Sequence, residues 1–299
     1  MNNSEAIILL SRNMDLAALQ IFRTVVAEGG IARAATKLHR VQSNVTTRVK
    51  QLEASLGVEL FVRDGKRLVL SPAGKVLLDY AERILHLAGE AKQAVTSEEP
   101  SGRLRVGSME STAASRLPPV LSAYHKRYSA VRLELATGTK MALIRGVLGY
   151  ELDTAYVADP VNSAELETLQ VFEEELVIVT HRDHAPVRSA RDMAGKTLLA
   201  FETGCAYRKR LEEWLAAADT VPQQVLELGS YHAILACAAA GTGVAVVPRS
   251  VVELHRTARG VDIHPLPARL GKARTLLIWR RNYDSAALRA LVGQLQPDR

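Results

Sequence analysis

Residues 29–57 read GGIARAATKLHRVQSNVTTRVKQLEASLG: an alanine-rich helix, a tight turn, and a second helix whose apolar residues share one side. With Val45 as the zero of a helical wheel at about 100° per residue, Val49, Leu52 and Leu56 fall within roughly 40° of it. Ser43, Thr47 and Lys50 point to the opposite side, with Asn44 and Thr46 on the flanks. This outer face carries short hydrogen-bonding side chains and a cation, with no large apolar residue and no acid. Such a face suits a groove lined with phosphates and base edges, which the second helix of a helix-turn-helix occupies. An ordinary amphipathic surface helix would show the same apolar stripe, so the flanking sequence decides between the two.

Upstream, Leu16, Leu19, Phe22 and Val26 predict a helix with an apolar stripe. Ala34 and Ala35 are small enough for close helix–helix approach, and Leu38 closes that helix before His39-Arg40. Downstream, residues 59–74 read ELFVRDGKRLVLSPAG. Leu60–Val62 and Leu68–Leu70 are strand-like runs around Asp64-Gly65, a hairpin signal. Arg63, Lys66 and Arg67 sit at its tip, where a wing meets a DNA backbone. Three helices followed by a basic hairpin predict a winged helix-turn-helix.

Along this whole N-terminal part the sequence resembles a LysR-type transcriptional regulator. The residues that carry the likeness are Leu19-Gln20-Ile21-Phe22, Ala34-Ala35, Leu38-His39, Gln42, Val45, Leu52-Glu53, Leu56-Gly57, Leu60-Phe61, Arg63 and Ser71-Pro72-Ala73-Gly74. The family usually has a serine before the glutamine and a proline after it; here Val41 and Ser43 stand there. The usual N-cap hydroxyl is therefore missing, and Ser43 or Asn44 is expected to cap instead. The Val41–Thr46 variant is similar to a sub-branch of regulators of putrescine use and glutamate synthesis.

The chain of 299 residues is long enough for two or three domains, and an apolar fraction of 47% supplies their cores. Net charge is +6, and the basic excess per residue is highest over residues 1–70, with 10 Lys/Arg against 6 Asp/Glu. The 2 cysteines, Cys205 and Cys237, are too few for a disulfide scaffold, which favours a reducing, cytoplasmic setting. No apolar run approaches the roughly 20 residues of a membrane span. Ala6–Leu10 is too short and lacks the flanks of a signal peptide. Residues 1–13 are expected to be an N-terminal extension or a mis-assigned start, because similar regulators begin near the equivalent of Met14.

From Ser71, an N-cap followed by Pro72, the pattern Leu77, Tyr80, Ala81, Ile84, Leu87, Ala88, Ala91, Val95 predicts one long helix. Its stripe spans roughly 27 Å at 1.5 Å per residue. Between two domains it is expected to pair with its own copy in a second subunit. The polar, Pro- and Gly-containing run 97–102 ends it. The expected division is residues 14–71 for the DNA-binding domain, 72–96 for the linker helix, 97–101 for a hinge and 102–299 for an effector domain.

After Gly102, strand candidates at 104–106, 131–135, 154–157, 176–179, 197–200, 244–247 and 276–279 alternate with helix candidates at 117–127, 141–148, 207–217, 231–240 and 286–295. Alternation of this kind predicts α/β architecture with a largely parallel sheet. The family resemblance, carried here by 104–107, 149–157 and 241–248, implies two α/β lobes similar to periplasmic solute-binding proteins, with a ligand cleft between them. It places the first lobe at about 102–173 and 270–299, and the second at about 174–269. Ligands of open α/β sheets bind at the carboxyl ends of strands, which here carry Ser108, Glu110, Ser111, Thr139, Thr203 and Cys205. Ser and Thr there are also common turn and cap residues with no ligand. Hydroxyls and free amides favour an anion, whereas Glu110 would favour a cation or the amine of an amino acid or polyamine.

Enzymatic readings are weak. Cys205 before a helix lacks a His and an orienting carboxylate nearby. His181 and His184 lack the further ligands zinc needs. Gly241 and Gly243 precede a strand, unlike a dinucleotide fingerprint. The sequence therefore predicts a non-enzymatic, ligand-responsive transcription factor with no cofactor and no metal. Gln42, Ser43 and Asn44 are expected at base edges, Thr47 on the groove face, and Thr46, Lys50, Arg33, Arg63 and Lys66 on phosphates. Its expected partners are promoter DNA, an effector that is an amine, amino acid or small acid, and itself as a homodimer. The resemblance implies a homotetramer that bends DNA and engages RNA polymerase. The competing reading is a solute-binding or enzyme-like α/β protein whose N-terminal helices serve only oligomerisation.

Overall fold

A computed structural model of the chain describes residues 14–64, 67–96, 99–255 and 260–296. The expectations for residues 1–13 and for Lys66 lie outside these. The chain forms two compact units that divide between Thr96 and Ser97.

In the first unit, helices α1 (Leu16–Ala27), α2 (Ile31–Lys37) and α3 (Gln42–Leu56) precede a hairpin of β1 (Phe61–Asp64) and β2 (Arg67–Leu70), then α4 (Pro72–Thr96). Asp15 caps α1, its side chain accepting from the Ala18 N–H at 2.7 Å. Ala34 and Ala35, buried against Ile21, Val25, Val45 and Val49, let the helices close up. His39 adopts a left-handed φ of 51° in the turn to α3, and Gly57 does the same (φ 68°) as the C-cap of α3. A second cluster of Leu19, Phe22, Leu52 and Leu60 rests on Ala81 of α4.

The hairpin pairs antiparallel, with Phe61 opposite Leu70. Two contacts fix it to the helices. Phe61 packs its ring on Phe22 at 5.4 Å. The Glu53 carboxylate, from α3, accepts the Leu60 N–H at 2.8 Å. Ser71 then starts α4: its hydroxyl donates to the Glu59 carbonyl at 2.6 Å and accepts from the Gly74 N–H at 2.9 Å. A Cβ at Gly74 would stand 2.1 Å from the Leu60 carbonyl oxygen, so only glycine lets α4 cross the hairpin this closely.

The second unit is built on one nine-stranded sheet ordered β4-β3-β5-β11-β6-β9-β7-β8, with β10 pairing β6. Its strands are β3 (Gly102–Ser108), β4 (Val131–Thr137), β5 (Thr154–Ala158), β6 (Leu166–His181), β7 (Thr197–Ala200), β8 (Gln224–Glu227), β9 (Val244–Pro248), β10 (Val261–Pro265) and β11 (Lys272–Arg280). Its helices are α5 (Glu110–Ser115), α6 (Leu117–Arg127), α7 (Lys140–Leu148), α8 (Ala206–Ala217), α9 (Tyr231–Ala239), α10 (Arg249–Leu254), α11 (Ala268–Gly271) and α12 (Ala286–Leu295).

The sheet is mixed rather than largely parallel. β3 pairs β4 and β5 in parallel, and β7 pairs β8 and β9 in parallel. The long β6 and β11 run antiparallel to each other and to their other neighbours. This follows from the chain crossing between two halves: β6 pairs β11 up to Glu175, then β9 and β10 from Leu176 onward. Two core clusters form: one of Leu104, Tyr124, Tyr156 and Leu291 within the first half, and a larger one that joins Leu143, Val147 and Ala155 of that half to Ile178, Leu198, Leu235 and Val247 of the other. Among the described residues no helix is long and apolar enough to cross a membrane.

Candidate nucleic-acid interface and effector cleft

Helix α3 separates its two faces as its sequence dictates. Val45 (0% exposed), Val49 (6%) and Leu52 (0%) lock it to the helical core, each worth about 1.5–3 kcal/mol of apolar burial. Gln42, Ser43, Asn44, Thr47 and Lys50 are exposed on the other side. Helix α3 starts directly at Gln42; Val41 is its N-cap residue and offers no side-chain acceptor. Ser43 and Asn44 therefore do not cap, contrary to expectation, because both already lie inside the first turn. Their backbone is helical, and the Asn44 N–H is bonded to the Val41 carbonyl at 3.1 Å. The Asn44 side-chain oxygen instead accepts from Arg40 Nη1 at 3.3 Å, a bond back to the turn that precedes the helix.

Thr46 is half-buried and spends its hydroxyl proton on the Gln42 carbonyl at 2.9 Å. Arg33 is exposed, but its guanidinium is folded back on the Glu28 and Gly29 carbonyls at the end of α1. Arg63 is exposed on β1, and with Arg33, Gly30 and Val69 it lines a groove between the start of α2 and the hairpin. The sequence reading missed Arg40. The Arg40–Asn44 spacing of four residues was the available signal.

In the second unit a narrow cleft lies between the two sheet halves, with room for about one water, about 20 Å³. It is lined by Glu110, Ser111, Thr139 and Cys205, four residues expected there, together with Lys140, Phe201, Tyr207 and Tyr231. Ser108 is not part of the lining: it is fully buried, and its hydroxyl turns back on the Met109 carbonyl at 2.9 Å. Thr203 is also outside it, exposed and directed to Glu227 at 3.5 Å. The aromatic walls escaped the sequence reading because Phe201, Tyr207 and Tyr231 resemble ordinary core residues in isolation.

The cleft walls meet closely, since a Cβ at Gly204 would lie 3.6 Å from Thr139 of the other half. Phe201 and Tyr231 stack with centroids 5.1 Å apart and planes at 27°. The Tyr231 hydroxyl sits 3.9 Å from Cys205 Sγ. Burial pushes the Glu110 carboxyl above the usual carboxylate range, partly offset by the Tyr231 backbone N–H. Glu110 Oε2 is buried with no hydrogen-bond partner. Burial pulls the Lys140 ammonium below the usual lysine range, Asp159 opposing and Lys209 and Arg210 adding to the shift. Burial likewise raises the Tyr207 and Tyr231 phenols.

Away from the cleft, the halves are strapped by charge. Arg116 at the start of α6 meets Glu174 on β6 at 2.7 Å, and Ser250 of α10 donates to the same carboxylate at 2.8 Å. Arg210 of α8 reaches Asp159, beyond β5, at 3.0 Å, and Arg274 of β11 shares that carboxylate at 3.2 Å. Among the described residues no three His, Cys, Asp or Glu side chains converge as a metal site would require.

Two family models match the chain: the bacterial regulatory helix-turn-helix of the lysR family over residues 16–75, and the LysR substrate binding domain over residues 97–298. The HTH-type transcriptional regulator YusT of Bacillus subtilis is 40% identical over 286 residues, 95% of this chain and 96% of its own. The regulator GltR of the same organism is 38% identical over 270 residues, 90% of this chain and 91% of its own. In fold, the chain is similar to CbnR solved with its target DNA (TM-score 0.69, 24% identity, 94% of this chain and 99% of that one). It is also similar to a full-length OxyR from Pseudomonas aeruginosa (TM-score 0.70, 23% identity, 94% of both chains). With a helix-turn-helix whose polar face is open and an α/β unit enclosing a cleft, matched along nearly its whole length, the chain belongs to the LysR family of DNA-binding transcriptional regulators.

Proposed function

We propose that α3 seats in the major groove of operator DNA with Gln42, Ser43 and Asn44 at base edges and Thr47 on the groove floor. Lys50 and Arg63 hold phosphates, the role the sequence also gives Lys66. Thr46 and Arg33 contribute only after exchanging their present backbone partners. The observation that carries this reading is the division of α3: its apolar face is fully committed to the core, while Gln42, Ser43, Thr47 and Lys50 make no side-chain hydrogen bond among the described residues. The uncapped start adds two donors, because the Gln42 and Ser43 amides have no acceptor among the described residues and face where a phosphate would lie.

The outer stripe of α4 pairs two chains, presenting two α3 helices to half-sites about one helical turn apart in a partly palindromic operator. Two such dimers make the tetramer. A small effector binds between the lobes of the second unit and shifts the arrangement it prefers, changing the bend in the DNA and the recruitment of RNA polymerase. Binding to chromosomal DNA places the protein in the cytoplasm.

The test is fluorescence anisotropy with the DNA upstream of its own gene, titrated against random-sequence competitor. A specific-to-random affinity ratio above about 10³ supports the reading. Equal affinity for both, or no binding, returns the N-terminal unit to the role of an oligomerisation module.

A further inference from the structure

The effector cleft holds an acid with one oxygen unpartnered. Glu110 stands at the carboxyl end of β3 as the first residue of α5, and its Oε2 is buried and makes no hydrogen bond. Facing it from the other lobe, Phe201 and Tyr231 present stacked rings 5.1 Å apart. Tyr207, only 2% exposed, brings a phenol oxygen that has no well-formed hydrogen bond either. A carboxylate oxygen and aromatic faces attract the same thing, a cation with N–H groups to donate.

Among the described residues no side chain supplies that cation. The titratable groups around the cleft are Lys140 on α7, Cys205 and Tyr207 at the start of α8, and Tyr231 at the start of α9. The Lys140 ammonium donates to the Pro160 carbonyl instead. Buried polar atoms are almost always paired, so an orphaned acid oxygen lining a cavity marks a position for a ligand atom. As it stands the cavity has room for about one water, about 20 Å³, so a ligand amine enters only when the two lobes part.

We propose that the cleft recognises a small molecule through a protonated amine, which donates to Glu110 Oε2 and rests against the Phe201–Tyr231 face. The proposal rests on the reading of this cleft as the effector site and names the class of effector. Lys140, at the lip, is placed to meet a carboxylate on the same ligand, which makes an amino acid the simplest fit; a diamine would use Glu110 alone. Amine binding requires the Glu110 carboxylate. Burial raises the pKa of that carboxyl, and affinity falls as pH drops below it.

The test uses the full-length protein in thermal-shift and calorimetric titrations. The probes are the common amino acids and putrescine, each paired with an amine-free counterpart such as glutamate with glutarate, lysine with hexanoate, and putrescine with butanediol. The expected result is that an amine-bearing probe binds at least about tenfold more tightly than its counterpart, and that Glu110→Gln loses the same factor. Binding should also weaken by up to about tenfold for each pH unit below the carboxyl's pKa. Without ligand, Glu110→Gln should melt no lower than the parent at neutral pH, since an amide of the same shape carries no charge for burial to penalise; this shows that the variant folds. Amine-free acids binding as tightly, affinity retained in Glu110→Gln, or no amine-bearing probe binding would each overturn the proposal. A Thr139→Trp variant, which fills the cleft, separates it from the reading beneath. If Thr139→Trp abolishes binding of an amine-free acid, the cleft is the effector site and only the ligand class is wrong. If it changes no binding, the cleft reading fails as well.

Discussion

At Val41, 68% exposed, α3 begins with a side chain that can accept nothing, and the helix forms because Val45, Val49 and Leu52 hold it. Val41→Ser would restore an acceptor for the first-turn amides and should stabilise the unit by about 1 kcal/mol in urea unfolding. An unchanged midpoint would show that those amides already have a partner. The same residue scale separates positioning from reading. Lys50→Ala and Arg63→Ala should each reduce the slope of log affinity against log salt by about one, for operator and random DNA alike. Asn44→Ala should cost about 1–3 kcal/mol at one base pair and nothing on random DNA. Arg40, whose guanidinium holds the Asn44 oxygen, should share that loss of discrimination when it is replaced by Ala. If salt slopes survive Lys50→Ala, the phosphate assignment is wrong.

Among elements, α4 departs most usefully from its sequence pattern. The expected single stripe divides into two. Leu77, Leu78, Ala81 and Leu85 pack on the helix-turn-helix core. Val76 (58% exposed), Tyr80 (55%), Ile84 (38%) and Leu87 (55%) form a second apolar row facing away. On the reading proposed above, this exposed row is the surface through which two chains pair. Tyr80→Glu combined with Leu87→Glu should therefore give monomers by light scattering and leave the melting of the first unit unchanged. Leu77→Ala, on the other face, should lower stability by about 2 kcal/mol while the protein stays dimeric. Dimers persisting in the double variant would move the interface elsewhere. Periodicity alone merged the two rows because both repeat at three- and four-residue steps. Elsewhere, α6 (Leu117–Arg127) and α12 (Ala286–Leu295) were fully legible, being amphipathic with clear punctuation. β8 was not, since its four residues are all exposed and carry no inward-facing pattern. β10 escaped for a similar reason, with Asp262 and His264 interrupting its short run. Of β6 only the buried stretch near Leu176–Val179 stood out; its acidic first part, pairing β11 at the surface, reads as loop. The same limit hid the aromatic cleft walls, which converge from loops and helices far apart in sequence.

At the largest scale, regulation requires the effector-binding unit to have two arrangements that a ligand tells apart. Its lobes are joined by β6, by the segment leading into β11, and by two ion-pair straps of different character. Glu174 is 4% exposed and, among the described residues, is satisfied by Arg116 and Ser250 alone. Removing Arg116 leaves that acid buried with one hydroxyl for company. Arg116→Ala should therefore destabilise this unit by about 3 kcal/mol, the low end for a broken buried pair because Ser250 still donates. Arg210 makes the other strap, and its loss leaves Asp159 still held by the Arg274 side chain at 3.2 Å. Arg210→Ala should then change stability by less than about 1 kcal/mol. It removes a bond that exists only when the lobes are together, so it should weaken effector binding several-fold and widen the unit in small-angle scattering without ligand. Equal stability losses in the two variants would mean that both straps serve folding and that neither sets the lobe equilibrium. A selective loss of affinity in Arg210→Ala would identify α8 as the element through which cleft occupancy is communicated.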